Sequence, residues 1–308
     1  METNKNNSQY VIGIDIGGTS LRIGLVDKNG VPSSLEQVKQ NTVFHGDSVK
    51  ALIKFIENYI AHHSVDNNIA GLAIALPGIL DLEKNVILNL PNVSGFNGIP
   101  LKSILQSHFS FPVYLLKDVS ALYTYDAMRF KLNEAGVIIA CYVGTGLGNA
   151  ICIDGKLLDG SHGVAGELGH IPIWGFSTKC GCGNEGCAEA VAAGVAVSRI
   201  HEQDFPDISI DDLFTKYPDS FNLHITMLLT AMTISAEINI LDPHTVILGG
   251  GVLMMNGYPI ERLKERILSH TRKPLPAENL KFIISDNPGE NGVIGSGIYA
   301  WKNIDINN

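Results

Sequence analysis

Apolar and polar positions along the chain switch repeatedly between a period of two and a period near 3.6, which predicts an α/β protein. Residues 10–16 and 21–26 are short β-rich runs joined by Gly17-Gly18-Thr19, a hairpin signature. Asp47 is placed to cap a helix whose apolar residues Val49, Leu52, Ile53, Ile56 and Ile60 recur at helical spacing. Residues 69–76 form an unbroken apolar run closed by Pro77-Gly78 and read as a buried strand. Pro100 suits the first turn of a helix that runs to Phe109. Residues 112–116 read as a strand with Asp118 just past its end, and 120–130 as a helix. Residues 137–143 and 149–153 are strands around a second glycine turn, and 188–200 read as one helix. The strand 245–248 ends in Gly249-Gly250-Gly251; helix 259–270, strand 280–285 and a closing helix 293–301 follow.

One internal echo organises these elements. Val11-Ile-Gly-Ile-Asp-Ile-Gly17-Gly18-Thr19 and Ile139-Ala-Cys-Tyr-Val-Gly144-Thr145-Gly146-Leu-Gly148 are each an apolar strand followed by a Gly/Thr turn and a second strand. They lie half a chain apart, which suggests a duplicated domain with a cleft between the halves. A chain of 308 residues also predicts two domains, at roughly 150 residues each. We expect an N-terminal α/β domain over 1–118, completed by the C-terminal helix at 290–308, and a second over 119–289.

Hydrophobic content of 45% supplies ample core. A net charge of −9 argues against nucleic acid as the main partner. It leaves ATP open, because backbone amides and magnesium hold that ligand locally. Five cysteines, three of them clustered, do not form a disulfide framework; Cys141 and Cys152 sit in apolar runs and read as buried thiols. A reducing cytoplasm fits this usage. The polar N-terminus has no signal core, and no apolar run is suited to crossing a membrane; the longest candidate, 223–241, carries His224, Glu237 and Asn239 and reads as a core helix.

Candidate chemistry is concentrated in two kinds of segment. Glycines in the turns let backbone N–H groups approach an anion, and a threonine hydroxyl adds a donor. Asp15, beside the first turn, is placed to hold magnesium next to phosphates. Each turn alone is also explained as a tight hairpin, and neither has the Walker or dinucleotide pattern. The second segment is Gly166-Glu167-Leu-Gly-His170 followed by Cys180-Gly-Cys182-Gly-Asn-Glu-Gly-Cys187-Ala-Glu189. One imidazole and three thiols within eighteen residues make a complete ligand set for tetrahedral zinc. Such a metal either staples the loop alone or also fixes Glu167 and Glu189 as acceptors for a polyol.

In this order, Asp15-Ile-Gly-Gly-Thr19, Gly144-Thr-Gly-Leu-Gly148, the His/Cys loop and Gly249-Gly-Gly251 resemble the repressor, open-reading-frame, kinase (ROK) family of sugar kinases. The similarity runs from Tyr10 to the C-terminus. It implies an actin-like ATPase fold, of the ribonuclease H-like kind, with ATP and sugar in a cleft flanked by two α/β domains. Within the family the chain is most similar to the bacterial allose kinases, through His162-Gly-Val-Ala-Gly-Glu-Leu-Gly-His-Ile-Pro172, Asp242-Pro-x-x-Val-Ile-Leu-Gly-Gly-Gly-Val252 and Arg272-Lys-Pro-Leu-Pro276.

The resemblance implies roles for particular residues. Asp118 matches the catalytic base that accepts the proton of the attacking sugar hydroxyl; read alone, it is better explained as a helix cap. Glu167, His170 and Glu189 match sugar-contacting residues, with His170 serving both zinc and sugar. Gly78 and Asn92 fall where the family lines the sugar pocket. Asp15, Gly17, Gly18 and Thr19, with Gly144, Thr145, Gly146 and Gly148 and with Gly249, Gly250 and Gly251, match the ATP and magnesium positions. His170, Cys180, Cys182 and Cys187 match the structural zinc ligands. One departure stands at Lys117, where many members carry a sugar-binding asparagine. An ammonium donates but cannot accept, so the hydroxyl pattern read there differs. The implied activity is ATP-dependent phosphorylation of a hexose at C6, with D-allose ahead of glucose, N-acetylmannosamine or fructose. The family's dimers imply a homodimer, although no pattern in the sequence fixes it. A silent sugar sensor or a transcriptional regulator are the readings from another class. For the regulator, Asp15 lies too near the start of the chain to admit a preceding DNA-binding segment, and the charge is wrong for DNA.

Overall fold

A computed structural model describes residues 9–65, 68–91, 93–286 and 289–307. The expected sugar-pocket residue Asn92 and the polar residues 1–8 lie outside them. The chain forms two compact units. The first comprises Met1–Leu132, Asp159–Val164 and Pro288–Asn308, and the second Asn133–Leu158 and Ala165–Asn287.

In the first unit, β1 (Tyr10–Ile16), β2 (Ser20–Val26) and β3 (Pro32–Lys39) form an antiparallel meander. The short helix α1 (Gln40–Val43) follows, then α2 (Ser48–His63), whose N-cap Asp47 accepts the backbone N–H of Lys50 as the sequence leads one to expect. The strands β4 (Ile69–Leu76), β5 (Ile79–Leu80) and β6 (Ile87–Asn89), the helix α3 (Leu101–His108), the strand β7 (Val113–Lys117) and the helix α4 (Asp118–Arg129) complete its N-terminal part. The main sheet has the order β3-β2-β1-β4-β7, with β1, β4 and β7 parallel. Alternate residues of its central strands face opposite ways. Ile12, Ile14, Ile16, Leu72, Ile74 and Leu76 pack with α2 and α3. Val11, Ala73 and Ala75 pack with Leu116, Ala121 and the C-terminal helix Asn291–Asn307. Helices cover both faces, so β4 reads as an unbroken apolar run.

The divide falls at Leu132/Asn133 rather than after Asp118, because α4 stays with the first unit through its packing on the C-terminal helix. That packing needs glycine. A Cβ at Gly295 would meet the Ala121 carbonyl, and one at Gly13 would meet the Val293 carbonyl.

The second unit repeats the arrangement. Its strands are β8 (Val137–Val143), β9 (Leu147–Ile153), β10 (Lys156–Leu157), β11 (Thr245–Gly249) and β12 (Lys281–Ile284). They take the order β10-β9-β8-β11-β12, again an antiparallel meander beside parallel strands. The echo in the sequence is thus a repeat of topology. The helices are α5 (Ala188–Ala192), α6 (Gly194–Asp204), α7 (Leu213–Lys216), α8 (Phe221–Leu241) and α9 (Ile260–His270). By length and composition α8 is the one helix among the described residues that could cross a membrane. Its Leu223, Met227, Ala231, Ile234 and Ile238 are buried in this unit's core with Ile139, Val143, Val246 and Leu248.

The single helix expected over 188–200 is broken. Ala193 is extended, and the break turns the N–H groups of Gly194 and Val195 toward the carbonyls of Gly144 and Thr145. The second glycine turn accounts for the interruption.

The core of the second unit contains a carboxylate. Glu237 of α8 is 6% exposed, receives the Asn149 side-chain N–H, and lies 3.6 Å from the Cys141 thiol. Burial pushes its pKa up to about 7, against the lowering by those two donors. The folded protein therefore holds this proton at pH values where the unfolded chain has released it. The group's stabilising contribution is fully present below 4.5, its ordinary value, and is lost as pH rises through about 7.

Two stability measurements check this packing. Gly295→Ala should cost about 2–3 kcal/mol by overpacking, seen as a lower urea midpoint; an unchanged midpoint would show that the helices part freely. The unfolding free energy of the wild type relative to Glu237→Gln should fall by up to about 3 kcal/mol between pH 4.5 and 7.5. A difference that is flat with pH would mean that Glu237 is not desolvated.

Candidate functional site

In the first unit, β1 and β2 meet in the turn Gly17-Gly18-Thr19, where the Gly17 N–H donates to the Ser20 carbonyl at 2.8 Å. Gly18 and Thr19 are exposed, which leaves the turn open to a ligand. Asp15 lies within the otherwise buried end of β1, between Ile14 and Ile16. Its carboxylate accepts a hydrogen bond from Arg22 of β2 at 3.1 Å. Burial raises its pKa, and the arginine opposes that shift. A Cβ at Gly292 would stand 2.7 Å from the Asp15 carboxyl carbon. Glycine there lets the N-terminus of the last helix sit beside this carboxylate, where the helix dipole favours the charged form. A partly balanced carboxylate beside an open turn is a suitable oxygen donor for magnesium.

Asp118 is the first residue of α4, immediately after β7. Its Oδ1 accepts the Val119 N–H at 2.7 Å. The cap position itself belongs to Lys117. The strand end therefore delivers Asp118, partly exposed, at the C-terminal edge of the parallel strands, where α/β sheets place their ligands. Gly78, two residues past the end of β4, is held against the Asn89 carbonyl and Leu90, with no room for a side chain. Lys117 and Ser120 line a small polar pocket with Lys84 and Asp159. The Lys84 ammonium pairs with the Asp159 carboxylate at 3.1 Å and donates to the Tyr299 hydroxyl at 3.3 Å.

In the second unit, the β8–β9 turn Gly144-Thr145-Gly146 is closed by the Gly144 N–H on the Gly146 carbonyl at 2.9 Å. Gly148 is not in the turn; it pairs with Tyr142 inside β9. Gly249 ends β11, and Gly250 has a φ of 98°. A Cβ at Gly250 would meet the Val143 backbone, so glycine lets this turn lie on the end of β8. Glu189 of α5 reaches the same place. Its Oε2 accepts the Leu147 N–H at 3.1 Å, and it fills the space a Cβ at Gly146 would need.

The four metal-ligand candidates converge. One ligand atom from each of His170, Cys180, Cys182 and Cys187 lies within 4.8 Å of the others. His170 Nδ1 is 3.6 Å from Cys180 Sγ, and Cys182 Sγ is 3.7 Å from Cys187 Sγ. Tetrahedral zinc with sulfur at about 2.3 Å and nitrogen at about 2.0 Å spaces its donors roughly 3.5–3.8 Å apart. The donor set therefore fits zinc. The Cys180 N–H reaches the Asn184 carbonyl at 2.9 Å and closes a tight turn, with Gly183 at a φ of 97°. The Asn184 N–H lowers the pKa of the exposed Cys182 thiol, while burial raises those of Cys180 and Cys187.

This cluster also gathers the expected sugar residues of the second unit. The 3-10 turn Leu168–His170 follows Glu167 directly. His170 turns Nδ1 to Cys180 and Nε2 to the Glu167 carboxylate, 3.6 Å away. Glu189 Oε1 is 3.9 Å from Cys180 Sγ. The turn rests on β9: a Cβ at Gly169 would meet the Leu147 carbonyl, and the Leu168 N–H donates to Asn149 Oδ1 at 3.2 Å. The structure thus brings Glu167, His170 and Glu189 together with the cysteines. Reasoning from sequence missed Arg22, Lys84, Asn149 and Asp159. Glu237 was noted there only as a polar residue in an apolar helix.

The chain is similar to known proteins along most of its length. A sequence model described as "ROK family" matches residues 11–303. A glucokinase of Halalkalibacterium halodurans is 25% identical over 94% of this chain and 94% of its own. An N-acetylmannosamine kinase of Pasteurella multocida is 30% identical over 80% of this chain and 83% of its own. The crystal structure of a ROK hexokinase from Thermus thermophilus superposes with a TM-score of 0.76, at 26% identity, over 97% of this chain and all of that one (100%). The expected actin-like ATPase fold is therefore present.

Proposed function

The chain belongs to the ROK family and is an ATP-dependent sugar kinase, and on that premise we propose that it phosphorylates a hexose at the C6 hydroxyl, with D-allose as the acceptor. The observation that carries the sugar assignment is His170. One ring nitrogen faces the thiol cluster and the other faces Glu167, so the group that fits a metal also presents a donor beside a carboxylate. Glu167, His170 and Glu189 of the second unit hold sugar hydroxyls; Gly78 of the first unit is also assigned to sugar contact, as is Asn92, which lies outside the described residues. Asp118 accepts the proton of the C6 hydroxyl as the phosphoryl group leaves ATP. Gly17, Gly18 and Thr19, with Gly144, Thr145 and Gly146 and with Gly249, Gly250 and Gly251, offer backbone and hydroxyl donors to the nucleotide. Gly148 contributes from within β9. Asp15 holds magnesium, which when bound neutralises phosphate charge.

His170, Cys180, Cys182 and Cys187 hold zinc, which when bound supplies a fixed ligand geometry for the loop. The allose assignment rests on Lys117, a donor that cannot accept, and on the allose-kinase-like stretches of sequence. The glucokinase and N-acetylmannosamine kinase relatives supply the competing acceptors.

ADP release with allose, glucose, N-acetylmannosamine and fructose in parallel should give the highest kcat/KM for allose. A higher value for another sugar would replace allose as the acceptor, and no turnover with any would remove the catalytic reading. Asp118→Asn should lower kcat by about 10²–10⁴-fold with sugar affinity retained; near-wild-type turnover would overturn its role. Cys182→Ser should lose zinc by metal analysis and raise the sugar KM. A folded variant with unchanged KM, or an active wild type without metal, would dismiss the zinc.

A further inference from the structure

We infer that Glu237 and Asn149 form a buried positioning pair that sets the Gly166–His170 turn, and through it the sugar-holding side chains Glu167 and His170. The inference rests on the sugar site proposed above.

The geometry is a relay of three elements. Asn149 lies within β9 and is 2% exposed. Its Oδ1 accepts the N–H of Leu168, the first residue of the 3-10 turn. Its Nδ2 donates to Glu237 Oε1 from α8. Gly166, with a φ of 82°, presses down on the same residue: a Cβ there would stand 3.2 Å from the Asn149 carbonyl oxygen and 3.4 Å from both side-chain amide atoms. The turn therefore lies directly on this amide, with Glu167 and His170 on either side of the bonded segment.

An amide has two ends that are alike in shape and opposite in polarity. Flipped, Asn149 would set its NH2 against the Leu168 N–H and its oxygen against the carboxylate, and lose both bonds. Glu237 is the acceptor that prevents this. Ionised, it runs against stability, because a buried carboxylate with no cation against it among the described residues is costly and an apolar residue would suit this helix better. A positioning role accounts for keeping it.

The pair responds to pH. An ionised acceptor makes a stronger hydrogen bond than a neutral one. Burial places the ionisation of Glu237 at about 7, so the Asn149 amide is held more firmly as pH rises through that value. The titratable side chain that meets Glu237 is Cys141 of β8. Charged groups on the other elements packed against α8 are engaged elsewhere. Arg199 binds the Ala190 carbonyl, and His201 approaches the Ile208 carbonyl. Arg262 reaches His224 on α8 itself, and Lys264 pairs with Glu261. Glu189 accepts from Leu147, and His170 faces Cys180. Glu202, Asp204, Glu265, Arg266 and His270 are exposed.

The test compares wild type, Glu237→Gln and Glu167→Gln from pH 6 to 8.5, using the best sugar of the panel. The ratio of sugar KM in Glu237→Gln to that in wild type should be near one at pH 6. It should rise to about five- to tenfold at pH 8.5, with kcat within about twofold. Amide exchange at Leu168, corrected for its intrinsic pH dependence, should quicken in the variant at high pH by a similar factor. A KM ratio independent of pH, with unaltered Leu168 exchange, would overturn the inference. Glu167→Gln separates this from failure of the sugar site. If it leaves KM unchanged, the site reading falls, while Leu168 exchange still decides whether Glu237 and Asn149 hold the turn.

Discussion

Four donor atoms come within 4.8 Å of one another in a stretch of chain with little regular structure of its own. Between β10 and α5 the chain has one short 3-10 turn and isolated bridges at Pro172–Cys187 and Lys179–Glu185. Loops of this kind rarely fix side chains to within a fraction of an ångström. Here the thiols and the imidazole, through the proposed zinc, would supply the constraint that a hydrophobic core supplies elsewhere. Cys180 and Cys187 are themselves buried, packed with Ala190, Val191 and Leu229. The cluster is thus tied into the unit from below while the proposed zinc ties it together from within.

The second constraint is the strand beneath. Leu147 and Asn149 of β9 give the loop three fixed points: the Leu147 N–H on Glu189, the Leu147 carbonyl under Gly169, and the Asn149 amide under Gly166 and Leu168. The same strand starts at the glycine turn whose carbonyls receive the N-terminal N–H groups of α6. The geometry of the glycine turn and that of the His/Cys loop are therefore both referred to one strand. Glu189 joins them, lying against Gly146 on one side and Cys180 on the other. A side chain that contacts both features also constrains both, which explains why glycine is required at 146.

What could be read from sequence follows from how local each interaction is. The Asp47 cap, the two hairpins and the apolar run 69–76 are set by neighbours a few residues apart, and they stand where the pattern puts them. The ligand cluster was legible because its spacing is short and its residue types are few. The break at Ala193 was not, since its cause is a carbonyl at Gly144 that belongs to a different hairpin. Glu237 and Asn149 are 88 residues apart, and each alone resembles an ordinary polar residue in its element. Lys84 and Asp159 meet only because the segment Asp159–Val164 leaves the second unit's chain and joins the first. The point at which the first unit gives way to the second was illegible for a similar reason: helix packing on Gly295, rather than any linker, keeps α4 with the first unit.

The account stands or falls on whether the clamped loop is what holds the sugar. The most direct measurement is the equilibrium affinity for sugar, in the absence of nucleotide, before and after a chelator strips the metal from folded protein. The account predicts a loss of at least about tenfold on stripping, restored by zinc. Sugar affinity that survives in fully metal-free, folded protein would contradict it.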